Sequence, residues 1–327
     1  MDCCVVTALW CLIPLYLLIR LALFIFSDAD FTLLWASLFG HAPENKLKGQ
    51  VVWVTGASSG IGEELAYQLA KCGSRLILSA RREDELSRVK NHCLECSDLQ
   101  TDDILVLPLD LLERSSHEEK AKAVIQHFGH IDVLINNGGR SQRSLATETS
   151  IDVCEALMEL NFLGTVSITK QVLAHMMQQG RGSIVTVSSV TGIMGVPLAS
   201  SYAASKHALQ LSDRPNIFIS MVCPGPVKSQ IVQHVFTEEL NKPPPNPGDQ
   251  DYKMPASRCA RLMLIGMVNG VNEMWISRQP FLLLCYLWQY TPTFGWFIMN
   301  TLGMRRIQNF KAGLDADSSY FTKPKTS

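Results

Sequence analysis

An apolar run that passes straight into a glycine-rich turn and then into an amphipathic helix leaves a chain few folds to choose from. Residues 47 to 73, LKGQVVWVTGASSGIGEELAYQLAKCG, have this form. The run predicts a strand over Val51 to Thr55 and a helix that starts near Ile61. Glycines at 56, 60 and 62 permit a tight turn and bring backbone N–H groups at a helix N-terminus within reach of a phosphate. Their spacing, G-x-x-x-G-x-G, differs from the commoner G-x-G-x-x-G of dinucleotide-binding turns. The turn is a candidate cradle for a phosphate-bearing ligand.

The pattern continues downstream. Strands are predicted at 74–79, 104–109, 131–135, 183–188, 216–222 and 273–277, alternating with helices at 83–95, 115–128, 150–178, 201–211 and 256–268. Apolar strands that alternate with helices imply an α/β fold, a Rossmann-like doubly wound parallel sheet of about seven strands with right-handed crossovers. Ligands of such sheets bind at the C-terminal ends of the strands. A formal net charge of -1 over 327 residues supplies no basic field, which argues against nucleic acid as a partner. The ten cysteines read mostly as small core hydrophobes, and Cys93 with Cys96 forms the only C-x-x-C. A zinc site needs a second half with ligand spacing, which the sequence does not offer, so no metal is expected.

Tyr202 and Lys206 stand at i, i+4 in YAASK, on one face of a predicted helix, and Ser189 closes the strand-like SIVTV upstream. A phenol with a pKa near ~10 is a weak acid or base at neutral pH, and an adjacent ammonium favours its ionised form. Taken together, TGASSGIG, NNGG at 136 to 139, Asn161, Ser189 with YAASK, and CPGPV at 223 to 227 resemble the short-chain dehydrogenase/reductase family, in the family's order.

That resemblance implies roles for particular residues. Tyr202 would protonate a carbonyl oxygen as hydride arrives from a nicotinamide, and Ser189 would hold that oxygen. Lys206 would bind the nicotinamide ribose and lower the Tyr202 pKa, and Asn161 would complete a water-linked proton path behind it. An alternative for Asn161 is a polar residue at a break in the long helix. The cofactor set it implies is Thr55, Gly56, Ser58, Ser59, Gly60, Ile61 and Gly62 in the turn, Asp110 and Leu111 after the third strand, Asn137 and Gly138 after the fourth, Tyr202 and Lys206, and Pro224, Gly225, Val227 and Ser229 beyond the sixth. Asp110 also reads as a helix N-cap. The second strand ends LILSARR, with no acid to hold a ribose diol and with Arg81 and Arg82 suited to a 2′-phosphate. NADP(H) is the expected cofactor and carbonyl reduction the expected direction. The implied substrates are apolar carbonyl compounds such as steroids, retinals or xenobiotic ketones.

Outside this core, Val5 to Phe26 is nearly all apolar, and at ~1.5 Å per residue it reaches roughly 33 Å, enough to cross a bilayer. Residues 1–28 are expected to form a membrane anchor, with a cleaved signal peptide as the competing reading. Residues 29–48 would be a linker, 49–278 the catalytic domain and 279–327 an apolar extension and tail. The resemblance further implies a single-pass protein of the endoplasmic-reticulum membrane, and the thin flanking charge does not assign the catalytic domain to either side. Residues 281–303 are very apolar, and Pro292 divides them into pieces too short to span. They read either as core or dimer packing or as a surface that dips into the membrane.

One departure from the family pattern stands out. KHALQ passes straight to LSDRPNIFIS, so the helix after Lys206 is short by about ten residues, close to three turns. In the family this helix builds the homodimer face. The expectation is weakened stability and dimerisation, and the alternative function is a cofactor-binding but catalytically impaired scaffold or splice form.

Overall fold

The structure is a computed structural model that describes Trp10, Leu12, Ile13, Tyr16 and residues 24–210, 216–244, 250–314 and 316–317. Its centre is a seven-stranded sheet, all parallel, formed by β1 (Val51–Thr55), β2 (Arg75–Ser79), β3 (Ile104–Val106), β4 (Val133–Asn136), β5 (Gly182–Val187), β6 (Ile217–Pro224) and β7 (Glu273–Ile276) in the order β3-β2-β1-β4-β5-β6-β7. The chain leaves β1 in one direction through β2 and β3, then returns past it to β4. Ligand crevices open at such a reversal, here between β1 and β4.

The alternation within β1 explains the two-sided burial. Val52 and Val54 face one core, which includes Leu65 and Leu69 of α2 (Gly60–Lys71), Leu86 and Val89 of α3 (Glu83–Glu95), and Leu262 and Leu264 of α8 (Ala256–Val268). Val51 and Trp53 face the other core, with Val124 and Phe128 of α4 (His117–Phe128) and with Ile168, Val172 and Met176 of α6 (Thr165–Gln179). Each fully buried Leu, Val or Ile contributes about 1.5–3 kcal/mol over its exposed state, so a strand apolar on both faces is stable only between two helical layers.

Three predicted elements differ from what is observed. The long helix of 150–178 is interrupted: α5 (Ile151–Met158) runs into a π-helical turn at Glu159–Gly164 before α6 resumes. The helix of 201–211 is only α7 (Ser200–His207), its last turn capped at Ala208, and residues 211–215 lie outside the described residues. The third strand stops at Val106; beyond it Leu107 N still donates to Leu78 O of β2, and Leu109 N donates to Ala80 O just past the end of β2. The short crossover nonetheless closes, because β5 and β6 pair in register from Gly182–Ile217 to Val187–Val222.

Residues 29–48 are more than a linker. Asp30 accepts hydrogen bonds from Leu33 N (3.0 Å) and Trp275 N (2.7 Å), which caps α1 (Phe31–Phe39) and ties it to β7. Ala29, Leu33 and Ala36 join the same core as α8. The apolar extension forms α9 (Phe281–Tyr290) and α10 (Pro292–Lys311), whose Phe281, Leu284, Cys285 and Met299 build a further cluster with Val190 and Met194. Most of the expected anchor, Val5 to Phe26, lies outside the described residues, as does the centre of the Pro-rich loop at 245–249. Among the described residues no helix is long and apolar enough to cross a membrane.

Candidate active site

The glycine-rich turn is built by close backbone approach. Gly56 has φ +67°, and a Cβ there would come 2.8 Å from Gly138 Cα. Gly62 lies beneath the turn: a Cβ would meet Gly56 O at 2.2 Å, so its contribution is packing, and it does not line the cleft. Thr55 Oγ1 accepts from the N–H groups of Asn137 (3.0 Å) and Gly138 (3.1 Å), while Asn137 Nδ2 donates to Thr55 O (3.1 Å) and Gly56 O (3.2 Å). The turns after β1 and β4 are thereby stapled together. Asn137 spends its amide on this staple.

A cavity of about 250 Å³ lies over these turns, lined by Thr55, Gly56, Ser58, Ser59, Gly60, Ile61, Arg81, Arg82, Asp110, Leu111, Asn137, Gly138 and Ser229. Asp110 does not cap a helix: its Oδ1 accepts from Leu112 N at 3.0 Å, closing a local turn well before α4 begins at His117. Arg82 reaches across to Ser58 Oγ at 3.5 Å, a long contact, and no carboxylate lies among the lining residues at the end of β2. The residues fit a dinucleotide: small backbone-lined turns at the centre and two guanidiniums at the end of β2.

A second cavity of about 150 Å³ shares Ile61, Asn137, Gly139, Arg140, Ser229 and Ile231 with the first and is lined by Ser189, Tyr202 and Lys206, with Pro224, Gly225 and Val227. Tyr202 enters it from the first turn of α7. That turn has no local side-chain cap, and Gln142 supplies one from 60 residues away, its Oε1 accepting from Ser201 N (3.0 Å) and Tyr202 N (3.1 Å). Ser189 accepts from Thr191 N at 3.1 Å at the end of β5.

Asn161 occupies the π-helical turn. Its Oδ1 accepts from Arg140 N (2.9 Å) and its Nδ2 donates to Arg140 O (2.9 Å) and Ser205 Oγ (3.0 Å). The extra residue per turn lets a fully buried amide satisfy an irregular strand end, a common setting for π-bulges. It also joins α7 to the turn after β4. Gly139 separates Asn161 from Lys206, for a Cβ there would lie 2.8 Å from Asn161 Oδ1 and 3.4 Å from Lys206 Nζ.

Burial sets the protonation of the pair. It pushes the Tyr202 phenol up, opposed by the Ser189 hydroxyl, the Arg143 charge and the Thr191 hydroxyl. The Lys206 ammonium donates to Val187 O at 2.9 Å, sits 5.9 Å from the centre of the Tyr202 ring, and is itself lowered to about 8 by burial. The phenol is raised and not depressed, because burial outweighs the hydroxyls and charges around it.

Five charged residues that the sequence motifs do not assign to the site also line this cavity: Arg140, Arg143, Lys253, Arg306 and Asp317. Gln142 is not marked by the motifs either. Only the Arg143–Gln142 neighbourhood, next to NNGG, could have been flagged by position.

This architecture, a nucleotide-sized cleft at the reversal of a doubly wound sheet with a tyrosine–lysine pair beside it, is that of a nicotinamide-dependent oxidoreductase. The short chain dehydrogenase family profile matches residues 50–240, and the chain belongs to that family. It is 57% identical over 330 residues to the human protein called dehydrogenase/reductase SDR family member 7, covering 97% of each chain, and 56% identical over 318 residues to the mouse protein of that name, covering 94% of each. Among solved structures it is similar to a short-chain dehydrogenase/reductase from Burkholderia phymatum in complex with NAD, with a TM-score of 0.63 and 20% identity over 86% of this chain and 99% of that one. That likeness concerns the fold.

Proposed function

We propose that the protein is a membrane-bound NADPH-dependent reductase of apolar carbonyl compounds. The observation that carries this reading is that Tyr202, Ser189 and Lys206 line one small cavity whose wall is shared with the glycine-rich cleft. When bound, the nicotinamide supplies the hydride. Ser189 Oγ holds the carbonyl oxygen, and Tyr202 gives its proton to that oxygen. A phenol kept protonated by burial is the form that reduction consumes. Lys206 binds the ribose, and Asn161 holds α7 against the turn after β4 and carries the proton path behind Lys206. Arg81 and Arg82 are proposed to take the 2′-phosphate, with Asp110 at the adenine end.

Membrane association is part of the proposal. The apolar run at 5–26 leads into α1, where Phe31, Trp35, Leu38 and Phe39 are exposed. Tyr286 of α9 packs on Phe24 and Phe31, and Tyr290, Phe294, Trp296 and Phe297 are exposed nearby in sequence on α9 and α10. Such aromatic residues suit the headgroup region. An endoplasmic-reticulum location is tested by fractionation and by extraction from microsomes.

A second reading, a cofactor-binding protein with impaired catalysis, is favoured by the brevity of α7, which leaves Tyr202 and Lys206 on two turns of helix. Oxidation of NADPH by detergent-solubilised protein against steroid, retinal and quinone carbonyls, with Tyr202→Phe in parallel, separates the two. Turnover that disappears in the variant supports the reductase. Equal silence of both proteins, with NADPH still bound, supports the scaffold.

A further inference from the structure

The chain after α10 runs along the surface, exposed from Lys311 to Leu314, and then re-enters to bury Ala316 and Asp317. A carboxylate is seldom buried without partners, because desolvation is costly. Here the partners come from three separate segments. Arg143 Nη2 lies 2.9 Å from Asp317 Oδ2, Lys253 Nζ lies 3.6 Å from the same oxygen, and Arg306 Nη1 hydrogen-bonds Asp317 Oδ1. The Lys253 and Arg306 side chains are 2% and 3% exposed. Burial alone would raise the Asp317 carboxyl, yet the Arg143, Arg306 and Lys253 charges hold it far below the usual range.

Position gives the cluster a meaning beyond a structural strut. All four residues line the same cavity as Tyr202 and Ser189. The Arg143 and Asp317 charges both act on the phenol. Buried Arg143 Nε has no hydrogen-bond partner among the described residues, so the guanidinium can take another acceptor. With the tail seated, about 150 Å³ remains, less than the roughly 300 Å³ at which drug-sized ligands begin to fit. An apolar carbonyl compound of that size needs Asp317 to yield.

We infer that Arg143, Lys253 and Arg306 form a carboxylate-binding subsite of the substrate pocket, filled here by the chain's own Asp317, so that carbonyl compounds bearing a carboxylate on an apolar body compete with the tail. The word substrate rests on the reductase reading, whereas the binding of the carboxylate does not. Two guanidiniums and an ammonium favour a planar carboxylate over an isosteric amide, which offers one acceptor oxygen in place of two.

The test uses the full chain with two probe pairs: 4-phenylbutyrate against its amide for binding by calorimetry, and 4-oxo-4-phenylbutanoate against its amide for NADPH oxidation. Asp317→Asn is expected to tighten 4-phenylbutyrate about tenfold with the amide unmoved, and to lower KM for the keto acid by a similar factor relative to its amide. Adding Arg143→Gln should abolish both gains. Equal changes for acid and amide, or none, would overturn the subsite while leaving a reductase if neutral ketones still turn over. Carboxylate binding gained without turnover of any carbonyl would keep the subsite and sink the reductase reading. If Asp317→Asn and Asp317→Ala both lose a cooperative melting transition that the wild type shows, Asp317 is a structural strut and the inference fails.

Discussion

The two halves of the cleft are made of different material. The cofactor half is made by backbone: Gly56 and Gly62 let β1, α2 and the turn after β4 approach so closely that a Cβ at either would meet a backbone atom at 2.8 Å or less. The substrate half is made by long side chains that converge from distant positions, among them Arg143, Lys206, Lys253 and Arg306. The first can be changed only by displacing backbone. The second can be retuned by one substitution at a time, which is what a family with one cofactor class and many substrates requires.

The comparison breaks most visibly at Tyr202. If the substrate half performs the proton transfer, Tyr202→Phe should lower carbonyl turnover by ~10³-fold, within the range of general acid catalysis, while NADPH affinity stays within about twofold. Parallel loss of cofactor binding, read by quenching of protein fluorescence, would show that the halves are not separable. Next in size is the choice of cofactor. Arg81→Ala with Arg82→Ala should weaken NADPH by about 100-fold and NADH hardly at all, since only the former carries the 2′-phosphate. A uniform loss for both would remove the guanidiniums from that role.

Gly62→Ala probes the backbone half from a residue that does not itself line the cleft. Alanine in a helix gains about 1 kcal/mol over glycine. Forcing a methyl to 2.2 Å from Gly56 O costs about 3 kcal/mol or more by analogy with overpacked cores. The clash wins, so the melting temperature should fall by an amount equivalent to about 2 kcal/mol. An unchanged or raised melting temperature would mean that the turn relaxes freely and that its rigidity was overstated.

The same contrast governs what could be read from the sequence. Val51 to Thr55, the glycine turn and the β–α alternation announce themselves because each signal lies within a few residues and has one physical cause, a continuous apolar run buried on both faces or a positive φ. The tyrosine–lysine pair is legible for the same reason, as i, i+4 on one helix. Gln142 is not: nothing nearby says that its amide will cap α7, because the cap is missing from α7 itself and the acceptor arrives through tertiary folding. Asp317 is invisible for a stronger reason. A carboxylate near a chain terminus reads as solvated, and only the meeting of residues 143, 253, 306 and 317 makes it a buried ion cluster. The π-turn at Asn161 lies between these cases, since a polar residue within an apolar helix signals a break but not its form. The end of α7 at His207 could be foreseen only as a shortage of residues, not as the place where the helix stops.

The finest test compares Lys206 with the cations around Asp317. Those three face a carboxylate, whereas the hydrogen-bond partner of Lys206 is the neutral Val187 carbonyl, and burial lowers its pKa to about 8. An unfolded lysine titrates near ~10.4. Below about 8 both states hold the proton, and the buried ammonium is a standing cost. Between about 8 and ~10.4 the unfolded chain holds more protons than the folded one, so stability from this group rises with pH. Tyr202 works the other way, but only above ~10, where an unfolded phenol ionises and the buried one does not. From about 8 to ~10 the thiols of Cys72, Cys93, Cys259 and Cys285, pushed up by burial, work against Lys206, and their contribution cancels when wild type is compared with a Lys206 variant. In urea unfolding at pH ~7.5 and ~9.5, the wild type should gain about 2 kcal/mol relative to Lys206→Met, whose side chain has no proton to lose. A difference that stays flat, or shrinks as pH rises, would show that the Val187 carbonyl and the surrounding dipoles satisfy the ammonium fully. The substrate half would then bind cations as firmly through neutral acceptors as through Asp317, and the carboxylate would no longer be the feature that sets its charge.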